Sequence, residues 1–494
     1  MPSRLTFASL AAAAVGVVVG LSVSAGVAAQ EGTPPIGHDW TRFGWDARRS
    51  NASTDPTGIT AETLGALQFQ QVRLDGTVDA SPIYLSAVSI GGASHDTFFV
   101  TTTYGKTIAV DADDGSMLWT YAPPGYDTWA GTYQYTTATP VADPGRDFIY
   151  TASPDGYIQK LAVADGSAVW RTAITRSPDR ERIAASLNYF RGRVFATTGS
   201  YFDAPPYQGH VAALDAGSGA LANIWNALCS HRAQLIDPTE CAESDAGIWG
   251  RAGAVIDPTT GHVFVATGNG HWNGRRYWGD AVLELDSTFE LVGSYTPRDT
   301  NTLEDLDLDL GSTAPVLLDD GHIAQGGKDG RIRVVTLEKM HAETPQRGGE
   351  IQTVTTPSGS ALLTAPAVSR TAAAVWMFAA DDYGTAAWRF RDGRLHERWR
   401  NSTPGTSPVS AGGLLYVYDG RGGLHIYEPG SGQEIAVLPC GRGHWNSPIV
   451  ADGRIALPEG GAAEQSLGGV LDIWRLPGRT LDAAAARRRS SAPR

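Results

Sequence analysis

Three carboxylates at alternate positions, Asp305-Leu-Asp307-Leu-Asp309, stand out in this chain as a possible centre of chemistry. On an extended strand all three would face one side. Like charges that close repel unless a cation or a proton intervenes. The run therefore either holds a metal ion or juts into solvent at the rim of the fold, as acidic runs commonly do. It lies within Gly247 to Gly330, a stretch that also carries Gly247-Ile-Trp249-Gly250, Asp257-Pro258, Thr267-Gly268-Asn269-Gly270, Trp278-Gly279-Asp280 and Gln325-Gly-Gly-Lys328-Asp329-Gly330. The flat indole of Trp249 stacks well on a flat ligand. Each residue also has a purely structural reading: Trp249 as a wedge between sheets, Asn269 in an ordinary hairpin turn, Lys328 on a surface turn. His271, Trp272 and Asn273 either line a pocket mouth or cover a turn, and His444-Trp445-Asn446 is expected to pack ahead of a strand. The chain has no GxSxG, HExxH, Walker loop or CxxCH, so the reactions those motifs serve, and a fused c-type haem domain, find no support.

The elements that would position these residues repeat along the chain. Gly105 to Trp119 reads GKTIAVDADDGSMLW: an alternating strand, an Asp-rich turn closed by a glycine at positive φ, and a return strand ending in an indole. Drifted copies begin at Gly156, Gly209, Gly279, Gly330, Gly384, Gly422 and Gly468. About eight copies, spaced by roughly 40 to 65 residues with no sustained helical period, indicate four-stranded propeller blades. Small-residue and proline strand openings support the same number. Six end in Pro82, Pro140, Pro315, Pro366, Pro408 and Pro448, and two without proline lie near Ala185-Ser186 and Arg251-Ala252. Proline is tolerated at a strand's first residue because the ladder has not begun. A ring of blades must close, and Leu67 to Leu74 is assigned to complete the last blade. The expected fold is all-β: an eight-bladed β-propeller, four antiparallel strands per blade, closed by an N-terminal strand.

Composition narrows the function. A net charge of -13, with basic residues clustered only at Arg487, Arg488 and Arg489, excludes binding to a phosphate backbone. Residues 1–29 read as an export signal, with Arg4, an apolar run from Leu10 to Val27, and Val27-Ala28-Ala29 as the cleavage site. An uncleaved anchor is the alternative, since about 20 apolar residues could just span a bilayer. Residues 30–478 then form the propeller, and 479–494 read as a disordered tail. The expected location is periplasmic or extracellular, with no stable membrane insertion after cleavage. Export permits disulfides; Cys229 and Cys241, 12 apart, are expected to pair, which stabilises by about 3 kcal/mol in the chain-entropy description. Cys440 is expected to be a buried thiol.

The openings, the G-x-x-x-ALD-x-x-x-G-x-x-x-W hairpin and the Trp-rich leader Trp40-Thr-Arg-Phe-Gly-Trp45 resemble the repeats of pyrroloquinoline quinone (PQQ) propellers. That group includes quinoprotein alcohol dehydrogenases, polyvinyl-alcohol dehydrogenases and non-catalytic relatives such as the outer-membrane assembly lipoprotein. The resemblance covers about Trp40 to Pro477 and implies a PQQ- and calcium-dependent alcohol dehydrogenase-like oxidoreductase with an atypical site. It implies that Trp249 is the floor under the quinone, Asn269 ligates calcium, Asp307 is the catalytic base at the metal, and Lys328 bonds a quinone carbonyl. The implied substrate is an alcohol or polyol. Two departures stand against this. The third-blade stretch Phe195-Ala-Thr-Thr-Gly199-Ser200-Tyr201 lacks the family's calcium-ligating Glu, with no carboxylate until Asp203, and the adjacent cysteine pair is missing. The alternative is a non-catalytic binding or scaffolding propeller that engages a protein or a saccharide on one face.

Overall fold

The structure is a computed structural model that describes residues 39–479 except residue 346. The leader at 1–29 and nearly all of the tail lie outside the described residues. Eight four-stranded antiparallel sheets are present, seven built from strands in chain order and the last completed by the N-terminal strand Gln68–Leu74. Their first strands are Ile83–Ile90, Val141–Ala142, Asn188–Phe190, Val255–Ile256, Val316–Leu317, Ala367–Arg370, Val409–Ala411 and Ile449–Ala451, and the blades are numbered in that order. All six proline openings end one residue before such a strand. Burial identifies the inner and outer strands. Val141–Ala142 and Val255–Ile256 are wholly buried, whereas the last strands Met117–Tyr121 and Gln352–Thr355 are largely exposed or half-buried.

Closure follows the expected route. Gln68–Leu74 pairs antiparallel with Gly469–Arg475, Gln68 opposite Arg475 and Leu74 opposite Gly469, and so supplies the outer strand of blade eight. This supplies the missing fourth strand and ties the start of the propeller to its end.

The glycine-to-tryptophan repeat now has a physical cause. In the first copy, Asp111 Oδ1 accepts from the amides of Asp113 (2.8 Å) and Asp114 (3.2 Å), and Gly115 turns at φ 77°. Trp119 at the end of the return strand then reaches into the next blade, donating to the Val163 carbonyl at 2.9 Å. There it covers Gly166, where a Cβ would sit 2.5 Å from the indole. Trp170 on Gly219 and Trp399 on Gly432 repeat the arrangement. Gly166, Gly219 and Gly432 thus serve both their own positive φ and the indole of the preceding blade.

The Trp-rich leader, expected only to lead into the closing strand, instead crosses one end of the ring. Trp40 bridges Tyr84 of blade one, Ala47 accepts from Asn188 and Ile256 of blades three and four, and Asn51 donates to Ala365 and Pro366 before blade six. Ala52 bridges Ser410 of blade seven, and Thr57 accepts from Gly453 of blade eight.

Cys229 and Cys241 form the expected disulfide. Cys440 is half-buried rather than buried; its Sγ accepts from the Gly423 amide at 3.1 Å, and burial pushes the thiol up to about 12.

One expectation is corrected. The alternating aspartates do not lie on an extended strand. Asp305 ends the helix Thr300–Asp305, Asp307 turns at φ 54°, and Asp309 precedes the 3₁₀ turn Leu310–Ser312. With no strand pleat here, alternation in sequence does not place the three carboxylates on one face.

Candidate functional site

Two blades supply the candidate site, from loops at the end of the ring opposite the leader. Trp249 lies in the approach to the inner strand of blade four, and Asn269 in the turn after its second strand, Val263–Ala266. Asp309 precedes the inner strand of blade five, and Lys328 follows that blade's second strand, His322–Gln325.

Lys328 is the meeting point. Its Nζ lies 2.8 Å from Asp307 Oδ1, 2.5 Å from Asp309 Oδ2 and 5.5 Å from the ring centre of Trp249. Asn269 joins through its backbone, whose amide donates to Asp309 Oδ1 at 2.5 Å, and its side-chain amide makes no hydrogen bond among the described residues. The four residues named from sequence are therefore brought together, but through Asp309. The Asp307 carboxylate is exposed and pairs with the ammonium, whereas Asp309 is 3 % exposed and contacts both Lys328 and Asn269. Burial raises Asp309 above the ordinary carboxylate range, with Lys328 and the Asn269 amide opposing. Burial pulls Lys328 down, but Asp309 and Asp307 outweigh it and hold the ammonium above its ordinary value. Close approach of the loops needs glycine. A Cβ on Gly268 would lie 2.5 Å from Asp309 Oδ1 and 3.2 Å from Trp249 Nε1, and one on Gly199 would lie 2.8 Å from Trp249 Cβ.

Two groups to which the sequence gave no role complete the hub. Asp280, of the Trp-Gly-Asp triplet, is fully buried; its Oδ1 accepts from the Leu310 amide at 2.8 Å and its Oδ2 has no partner among the described residues. Burial, aided by Asp309 and Glu304, pushes it up to about 8. Between its ordinary 3.8 and about 8, the folded protein keeps a proton that the unfolded chain has released. Stability is therefore highest below that window and falls as pH rises through it. Asp280→Asn keeps the Leu310 contact and cannot titrate, so the fall in urea midpoint between about pH 5 and pH 8 should shrink by about half or more. An unchanged slope would show that Asp280 is ionised throughout.

Trp445 is the second group. Its ring lies on Trp249 (centroids 6.1 Å apart, 18° between planes) and His444 stacks on it in turn (4.6 Å, 19°). Buried Asp79 fixes this loop, accepting from the Trp445 amide, the Ala462 amide and His444 Nδ1, each at 2.9 Å. Arg251, buried between the Phe43 ring of the leader and the Trp445 carbonyl, supports it from below. The expected packing of His444-Trp445-Asn446 is met only by Asn446, which is buried and donates to Val78; His444 is exposed and Trp445 half-buried. Only the meeting of loops from blades four and eight, on opposite sides of the ring, could have shown this.

Donor chemistry separates quinone from metal. A half-buried indole edged by glycine backbone, with a cation and a buried carboxylate beside it, fits a planar anionic quinone. A resident calcium ion does not fit. Both carboxylates expected near it share the Lys328 ammonium, and among the described residues no group of three or more His, Cys, Asp or Glu could hold a metal. Asp203 does not replace the missing third-blade Glu; it is exposed and held by Ser200 Oγ (2.8 Å) and the Tyr207 hydroxyl (3.1 Å).

The comparisons agree with this architecture. A PQQ-repeat family described as outer membrane protein assembly factor BamB matches residues 62–232 and 97–269. A polyvinylalcohol dehydrogenase of Pseudomonas sp is 25% identical over 344 residues, 62% of this chain and 50% of that protein. The quinohemoprotein alcohol dehydrogenase ADH IIB of Pseudomonas putida is 24% identical over 272 residues, covering 51% of this chain and 37% of that one. The chain thus spans half or less of these curated relatives' length. Among solved structures, the quinohemoprotein alcohol dehydrogenase ADHIIG of Pseudomonas putida HK5 superposes with a TM-score of 0.67 at 14% identity, covering 92% of this chain and 82% of that one. The chain is thus an eight-bladed β-propeller closed by an N-terminal strand, similar in part of its length to a PQQ-repeat family and to curated alcohol dehydrogenases.

Proposed function

We propose that this propeller is an exported, quinone-dependent oxidoreductase acting on an alcohol or polyol. The single observation that carries the reading is the Lys328–Asp309–Asn269 cluster set against Trp249 in the hub. Trp249 would hold PQQ by its ring, with Lys328 against a carbonyl oxygen. The bound quinone supplies a two-electron acceptor for hydride. The chain's own residues do the rest. Asp309, raised by burial, accepts the hydroxyl proton at its carboxylate as the carbon gives up hydride. Lys328 stays cationic and offsets charge that develops on oxygen next to it. The Asn269 amide fixes one Asp309 oxygen and so orients the other. No step is assigned to calcium. Similarity to dehydrogenases of polyvinyl alcohol and of simple alcohols supports the substrate class. The sequence from Arg4 to Ala29 supports export, and no described helix is long and apolar enough to cross a membrane.

A non-catalytic, protein- or saccharide-binding propeller is the second reading. The family description as an assembly factor and the engaged state of Asp203 favour it. Titrating the purified protein with PQQ while following tryptophan emission separates the two. Quenching at micromolar quinone that disappears in Trp249→Ala is the expected result; no quenching leaves only the binding reading.

A further inference from the structure

A second recess opens beside the candidate site, between the turns of blades six, seven and eight, with a volume of about 240 Å³. Asp382 of blade six, Thr406, Asp419 and Arg421 of blade seven, and His444 and Trp445 ahead of blade eight line it. We propose that this recess binds a neutral, polyhydroxylated ligand, a sugar ring or an open-chain polyol segment.

Four observations converge on that chemistry. Thr406 is 5 % exposed and its hydroxyl is buried with no protein partner, a cost the fold bears unless a ligand or water pairs with it. Asp419 uses one carboxylate oxygen on the Arg421 amide at 2.9 Å and leaves the other without a protein donor. Arg421 is anchored by one nitrogen on the Asp382 carbonyl at 3.1 Å, so its guanidinium has donors to spare. Carboxylate, guanidinium and hydroxyl together supply the donors and acceptors that a row of hydroxyls needs. The wall is the His444–Trp445 pair, two stacked rings pinned by Asp79, and flat aromatic rings in a wall suit the C–H side of a sugar or polyol. Two carboxylates, one guanidinium and one imidazole give no strong excess of either sign, which selects against anions and cations alike. A cavity of this size holds a single sugar ring. This inference does not require the quinone; Trp445 lines the recess and also stacks on Trp249, so the two sites are neighbours.

The test uses the full chain without PQQ, by titration calorimetry with two probes, methyl α-glucoside for the ring form and xylitol for the open chain. Millimolar binding of at least one is expected, with the tighter probe naming the source. Thr406→Val conserves shape and should weaken binding about five- to tenfold, and Asp419→Asn, which keeps the Arg421 contact, should do the same. Quinone quenching of Trp249 should be unchanged in both variants, so failure here is distinguishable from failure of the redox reading. No heat from either probe at about a hundredfold the millimolar range would overturn the proposal. So would wild-type affinity in both variants, or glucuronate binding as tightly as the neutral glucoside.

Discussion

Asp309→Asn is expected to lower kcat for PQQ-dependent alcohol oxidation by about 10²- to 10⁴-fold, the usual worth of a positioned general base. Asp307→Asn should change it by less than about tenfold. The contrast follows from where the chain puts the two carboxylates. Asp309 is buried against Lys328 and the Asn269 amide, with its proton affinity raised by the loss of water. Asp307 faces solvent, where its pairing with Lys328 is screened and worth little. Asparagine at 309 is close in shape and can still accept from the Asn269 amide, so the loop should hold and PQQ affinity should change little. Steady-state rates with a dye acceptor, alongside quinone titration, make the measurement. If Asp307→Asn proves the more damaging, the base is the exposed residue and the Asp309 assignment is wrong.

Lys328→Met should be nearly as damaging, by about 10²- to 10³-fold in kcat, because it removes the one cation that faces developing charge. It has a second readout. In the wild-type protein the ammonium already sits between Asp307 and Asp309, so a divalent or trivalent ion gains little by entering. Terbium luminescence sensitised by Trp249 should stay weak without quinone. Methionine leaves two carboxylates unneutralised, which then either take up a proton or a metal. Terbium affinity should rise about tenfold or more, and Lys328→Arg should suppress that gain while restoring part of the rate. Strong terbium binding by the wild type would show that the oxygen donors do form a metal site and that the lysine merely stands in its place.

What the sequence alone determined is the part of this protein that is local. The turn aspartates, the glycines at positive φ and the indoles on the return strands recur in several blades because those hairpins use the same short-range bonds, so one hairpin read correctly reveals the repeat. The closing strand was legible too, since a sheet edge left open at residue 475 needs a partner and only one unassigned alternating stretch precedes the first blade. The stretch from Gly247 to Gly330 was recognisable as departing from the repeat, and its Trp249, Asn269 and Lys328 do meet. The choice between Asp307 and Asp309 was not legible, because alternation assumes an extended chain. A helix end and one residue at φ 54° turned one carboxylate out and the next one in. Nor could spacing show that Trp445 would cover Trp249, that Asp280 would be buried with a bare oxygen, or that the leader would cross the far end of the hub. Those depend on contacts between segments hundreds of residues apart, and only ring closure sets such distances.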